Sequence, residues 1–267
     1  MLKTPLEKTN AMGLFDLFKG GNRPGAPRVT DKPTSAAVAA AKWAEKAGDK
    51  RAQNYDRQEA LSALAEMGTA EAAAALLRRF TFKIDPSITD QEEKDVAYNG
   101  VLRAGANAIE PVRAFAAKAE SLAWPMKILK DLLEEDAYVE ELTLWLARWD
   151  VEYAKFIDPK LQILSALSEY KHEKIMEAVQ RFLEDVDEEA RFRAVDAVVA
   201  QDDANAVSGL LDVLVSEESF RVKNKIAQGI LTRGWRVPED RLATVRKVLP
   251  PGYTADAQGR LNKLAAE

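Results

Sequence analysis

From Thr34 onward, apolar residues recur three and four positions apart in short runs broken by Gly, Asp or Pro, the period of amphipathic helices. In Tyr55 to Phe80, YDRQEALSALAEMGTAEAAAALLRRF, residues Ala60, Leu61, Leu64 and Met67 share one helical face. Gly68 then stands where a helix end favours a left-handed residue. Thr69 is placed to cap a second helix with Glu71 in its first turn. The segment predicts a helical hairpin.

The pattern returns along the chain. Glu92 to Ala104 and Ala108 to Lys118 predict a second pair, with Pro111 in an opening turn that tolerates its missing N–H. Trp124 to Leu133 and Ala137 to Arg148 predict a third. A fourth comprises Lys160 to Ser168, opened by Asp158 as cap and Pro159 as first helical residue, and Glu173 to Leu183. Asp187 to Ala200 with Asn205 to Val215, and Phe220 to Thr232 with Glu239 to Leu249, complete six pairs. Thr34 to Ala47 reads as a solitary helix covering the open end of the first pair. A long loop, Phe82 to Asp90, is expected between the first two pairs.

Outside residues 34–249 the pattern fails. Residues 1–33 read as a flexible tail and linker, rich in Gly and Pro from Gly20 to Pro33. Within it Leu14, Phe15, Leu17 and Phe18 form an apolar cluster, a candidate plug for a partner or for the chain's own body, and Met12 is an alternative start. Residues 250–267, behind Pro250-Pro251, read as a C-terminal tail.

Composition agrees with an all-α chain. Alanine makes up 44 of the 267 residues, and only five prolines fall between Thr34 and Leu249. The absence of cysteine excludes disulfides, thiolate metal sites and cysteine nucleophiles. His172 is the only histidine, so a Ser-His-Asp arrangement would rest on it alone, and no GxSxG, HExxH or phosphate-loop motif accompanies it. Glu134-Glu135 and Glu188-Glu189 lack metal-site spacing. We therefore expect no enzyme activity, no cofactor and no metal. No apolar run is long enough to span a membrane, so a cytoplasmic protein is expected.

The hairpin unit resembles the HEAT-repeat superfamily, carried by YDRQEALSALAEMGTAEAAAALLRRF and by Glu188 to Leu214, EEARFRAVDAVVAQDDANAVSGLLDVL. The resemblance covers roughly residues 55–249. It implies an α-α superhelix of about six hairpins acting as a binding scaffold. The pairs at 124–148 and 158–183 lack the turn glycine of the first, second and sixth, a departure from strict regularity.

Within the second helices, Arg79, Arg113, Arg148 and Arg181 fall 34, 35 and 33 residues apart, and Arg246 resumes the series after Asp212 interrupts it. Stacked on a concave surface, such arginines could grip carboxylates; the competing role is helix-end and i,i+4 pairing. The partner this favours is a protein with an acidic or extended segment, not a small molecule.

Charge is uneven. Asp131 to Asp158 holds nine acids against two bases, and Arg221 to Lys247 eight bases against two acids. The basic stretch, with Arg221, Lys225, Arg233, Trp235 and Arg236, is a secondary candidate for nucleic acid, though the net charge of −5 argues against it. Trp145 and Trp149 lie four apart with Asp150 directly after, and ARWDVEY, Ala147 to Tyr153, is similar to HEAT-like alkylpurine DNA glycosylases. The acidic surroundings would repel DNA, and tryptophans four apart on a helix suit a core.

Overall fold

The computed structural model describes residues 34–264; the expected tail, linker and apolar cluster Leu14, Phe15, Leu17 and Phe18 lie outside them. The described chain is all-α with one small hairpin of strands. Helix α1 (Ser35–Ala47) stands alone ahead of six pairs. These are α2 (Asn54–Met67) with α3 (Ala70–Leu77), α4 (Ser87–Arg103) with α5 (Ile109–Ala116), and α6 (Ala123–Leu132) with α7 (Glu135–Leu146). They continue with α8 (Asp158–Leu167) and α9 (Glu173–Gln180), α10 (Glu188–Ala200) and α11 (Ala206–Ser216), and α12 (Phe220–Arg233) and α13 (Glu239–Val248). No helix among the described residues is long and apolar enough to cross a membrane.

Local chemistry accounts for several of the helix ends. Gly68 ends α2 at φ 61°, and the Thr69 hydroxyl accepts from the N–H of Ala72 at 3.2 Å to start α3. Gly234 ends α12 at φ 64°. Asp187 and Ser219 cap α10 and α12 through Ala190 and Val222. His172 caps α9, its Nδ1 accepting from the N–H of Lys174 at 3.1 Å.

Three expectations need correction. Helix α4 starts at Ser87, one residue after Pro86, so the expected long loop is short: Asp90, placed in that loop by its neighbours' turn character, lies in the first turn of the helix. Asp158 is the first residue of α8 and makes no capping bond; Ile157 precedes it. Residues 250–264 are no simple tail. Strands β1 (Tyr253–Ala255) and β2 (Leu261–Lys263) pair antiparallel, Val237 N–H donates to Gly259 O at 2.8 Å, and the Tyr253 hydroxyl lies 2.9 Å from Gln228 Oε1. The hairpin thus covers the end of α12 and buries Trp235, Val237 and Leu261.

Successive pairs pack like on like. α2 meets α4, α4 meets α6, α8 meets α10 and α10 meets α12, while α3 meets α5, α7 meets α9 and α11 meets α13; α1 lies on α2 and α3. Leu, Ile, Val and Ala from both helices of each pair form one continuous core, each large side chain contributing about 1.5–3 kcal/mol by leaving water. Two glycines set the closest approaches. A Cβ on Gly100 would stand 2.7 Å from Ala65 Cβ and Leu76 Cδ1, and one on Gly229 would stand 2.5 Å from Val199 Cγ2.

Close helix packing gives way between α5 and α7 and between α6 and α8. Long side chains span this seam instead. Arg113 Nη2 reaches Glu141 Oε2 at 2.5 Å, Gln162 Oε1 accepts from Leu122 N–H at 2.6 Å, and Lys130 Nζ lies 3.5 Å from Glu169 Oε2.

Candidate interaction groove

The arginines singled out by spacing meet different fates. Arg79 is fully buried: its Nε donates to Glu93 Oε2 at 2.6 Å and its Nη2 to Asp90 Oδ1 at 2.8 Å, while Arg57 Nε donates to the same Glu93 oxygen at 2.8 Å. It cannot touch a surface partner, which corrects the expectation that it does. Its guanidinium is consumed by acids at the start of α4, beyond the reach of an argument confined to its own helix. Arg113 is held by Glu110 and by the buried Glu141, which also accepts from Trp145 Nε1 at 2.6 Å. Arg181 donates to Trp149 O at 2.6 Å and Arg246 to Asp256 O at 2.7 Å. These are structural staples between neighbouring elements. Arg148 differs: it is exposed and its guanidinium makes no hydrogen bond or ion pair among the described residues.

The basic stretch at 221–247 is also largely occupied. Arg221 pairs with Glu189 at 2.5 Å, Lys225 with Asp196, Arg233 with Asp202 at 3.2 Å and Arg241 with Asp212 at 2.6 Å. Arg221 also lies 3.9 Å over the Phe192 ring. Trp235 is buried, so it offers no stacking face, and Arg236 is exposed. The positive excess seen along the sequence is mostly cancelled by acids of the preceding helical pair.

Two open pockets flank the segment joining α5 to α6. The larger, about 830 Å³, is lined by Phe80, Phe82, Phe115 and Trp124 with Lys83, Lys94 and Lys118. Phe80 and Trp124 stack at 4.5 Å, presenting a continuous aromatic wall. The second, about 400 Å³, is lined by Trp145, Arg148, Trp149, Phe156 and Ile163. Lys118, Ala119 and Glu120 border both pockets, so the two are parts of one groove divided by a low ridge.

The groove is apolar within and positive at its rim. Lys83, Lys118 and Arg148 are exposed and, among the described residues, unpaired; Glu120 is the one exposed acid lining either pocket. Lys94 is already engaged, its Nζ 2.5 Å from Asp90 Oδ2. Burial pushes the Asp90 carboxyl up, but Lys94, Arg79 and the Ile84 N–H outweigh it and hold its pKa at about 2. Asp90 therefore stays ionised and keeps Lys94 in place at the pocket wall. On the segment joining α7 to α8, Phe156 lines the second pocket and is 54% exposed, and Tyr153, outside both pockets, is 84% exposed. That segment is fixed from below, because the buried Lys160 Nζ donates to Asp150 O at 3.2 Å and Val186 N–H to Val151 O at 2.9 Å.

Of the residues singled out by spacing, the structure brings Arg148 into the groove and leaves the others elsewhere. Lys83, Phe82 and Phe156 escaped notice because they lie in connecting segments without helical period, and Lys118 because the periodicity makes it only the last residue of a helix that in fact ends at Ala116. An exposed base beside an aromatic, repeated in two connections at Phe82-Lys83 and Lys155-Phe156, was the signal available. No group of three or more His, Cys, Asp or Glu residues placed to hold a metal occurs among the described residues. Compared with known protein families and with curated proteins, the chain matches no family model and no curated sequence.

Proposed function

We propose that the six helical pairs form a HEAT-like solenoid and that the chain is a non-catalytic scaffold, holding an acidic, extended segment of a partner protein. The observation that carries this reading is the apolar groove beside Ala117 to Leu122, rimmed by three cations without an acidic partner among the described residues: Lys83, Lys118 and Arg148. Such a rim selects carboxylates, while the aromatic walls supply contact area at little entropic cost.

The like-on-like packing of successive pairs supports the repeat reading, as does a recurring ion pair. Lys160 near the start of α8 binds Asp185 after α9, and Arg191 near the start of α10 binds Glu217 after α11. In both, the acid also accepts from the N–H two residues on, Asp187 or Ser219, which caps the next helix. One structural unit is being reused.

The double variant Lys118→Glu/Arg148→Glu should lose capture of the partner in a pull-down while keeping the helical circular dichroism of the native chain. Undiminished capture would refute the groove as the binding surface. A nucleic-acid partner would instead appear as low-salt DNA binding that falls steeply with salt and responds to Arg236 and Lys247.

A further inference from the structure

The larger pocket lies on one side of a structural seam and the smaller straddles it. The larger is walled by Phe80 and Phe82 from the segment after α3, with α4, α5 and the start of α6, all belonging to residues 35–133. The smaller takes its far wall, Trp145, Arg148, Trp149, Phe156 and Ile163, from residues beyond 134. Between these two parts helices approach closely at α6 and α7 and hardly elsewhere. The polar links across it are Arg113 to Glu141, Lys130 to Glu169, and Gln162 to the Leu122 N–H and the Ser121 hydroxyl. Apart from the buried Glu141 and Leu122, these groups are partly exposed, and such links resist local opening less than close helix packing does.

We infer that the partner segment crosses this seam and fastens it, placing one bulky apolar side chain in each pocket and an acidic stretch over the ridge at Lys118. This deepens the scaffold reading and rests on it. Charge complementarity commits the occupant: Lys83, Lys118 and Arg148 are spread along the groove from one pocket to the other, so an apolar residue at each end and carboxylates between them satisfy every free group at once. An occupant touching both walls binds the arrangement in which the seam is closed better than one in which it is open, so binding and closure are linked.

The test uses the full chain and fluorescein-labelled acidic peptides carrying two phenylalanines separated by two to six glutamates, with single-phenylalanine peptides alongside. At the matching spacing, the two-phenylalanine peptide should bind about tenfold or more tighter than either single-phenylalanine form. Phe156→Ala should erase that advantage, as should Phe82→Ala, with Lys83→Glu as a surface variant that leaves the core untouched. Because the chain has no cysteine, Glu59→Cys/Glu177→Cys can carry two spin labels, one on each side of the seam, and the peptide should narrow their distance distribution. Equal affinity of one- and two-phenylalanine peptides, indifference to Phe156→Ala, or an unchanged distance distribution overturns the inference. If binding still vanishes in Lys118→Glu/Arg148→Glu, the scaffold reading survives that failure. Absence of binding by every acidic peptide overturns both.

Discussion

Lys160 and Asp185 face each other across 2.6 Å with neither side chain exposed to solvent, joining the first helix of one pair to the end of the second. The lysine also reaches Asp150 O, and Asp185 also accepts from Asp187 N–H, so both charges are provided for within the protein. Removing one partner leaves a buried charge without its mate. Asp185→Asn or Lys160→Met should each cost about 3–5 kcal/mol in urea unfolding. The double variant Lys160→Met/Asp185→Leu should recover much of that loss. Equal damage from the single and double changes would show that the pair's other bonds, not its charge balance, matter.

Glycines predict opposite signs. Gly100 sits where a Cβ would come within 2.7 Å of α2 and α3, so Gly100→Ala should destabilise by about 1–3 kcal/mol through overpacking. Gly209 in α11 has room, its nearest neighbour being Gln180 Nε2 at 3.8 Å. Gly209→Ala should therefore stabilise by about 0.5–1 kcal/mol, since glycine inside a helix loses more freedom on folding. Midpoints of thermal or urea unfolding distinguish the two.

Acid should loosen the N-terminal pairs and the α10–α12 contact together. Asp90 has its pKa lowered from 3.8 to about 2, and the carboxyls of Glu189 and Glu217 are also held below the usual range, the first chiefly by Arg221 and the second by Arg191 and backbone N–H groups against the cost of burial. Groups with depressed pKa contribute stability that is complete above their unfolded values and disappears as pH falls through the folded ones. Thermal midpoints should be level above pH 5 and fall between about pH 4 and pH 2. In Asp90→Asn the fall should be shallower, starting from a lower plateau.

The seam makes a further prediction. Arg113→Met removes the bridge to Glu141 and leaves that buried carboxylate with Trp145 Nε1 as its remaining partner. Amide exchange should accelerate in α6 and α7 more than in α2 or α12, with loss of stability of about 1–3 kcal/mol. Uniform acceleration would mean that the two sides of the seam open as one unit.

Much of the helical order was readable because it is local. Gly68 with Thr69, and Gly234, announce helix ends through backbone requirements that no distant residue alters. The start of α4 was hidden: Asp85-Pro86 reads as a turn, and Ser87, Ile88 and Thr89 have weak helix preference, yet Asp90 is stabilised inside the helix by Arg79 and Lys94. The strands at 253–263 were missed because three-residue strands carry too little alternation, although Gly252 and Gly259, both with positive φ, mark the turns. The arginine spacing was visible but its meaning was not. Glu93 and Glu141, the acids that absorb Arg79 and Arg113, lie 14 and 28 residues onward, distances at which sequence alone does not reveal contact.

The central claim is that a partner lies in the groove beside Ala117 to Leu122. Site-specific photocrosslinking tests it most directly, with a photoreactive phenylalanine at Ala119 on the ridge and, as control, at the exposed Thr244 on α13. A discrete adduct should form from position 119 and disappear in the Lys118→Glu/Arg148→Glu background, with none from position 244. An adduct of equal strength from position 244, or one at 119 that survives charge reversal, would contradict the claim.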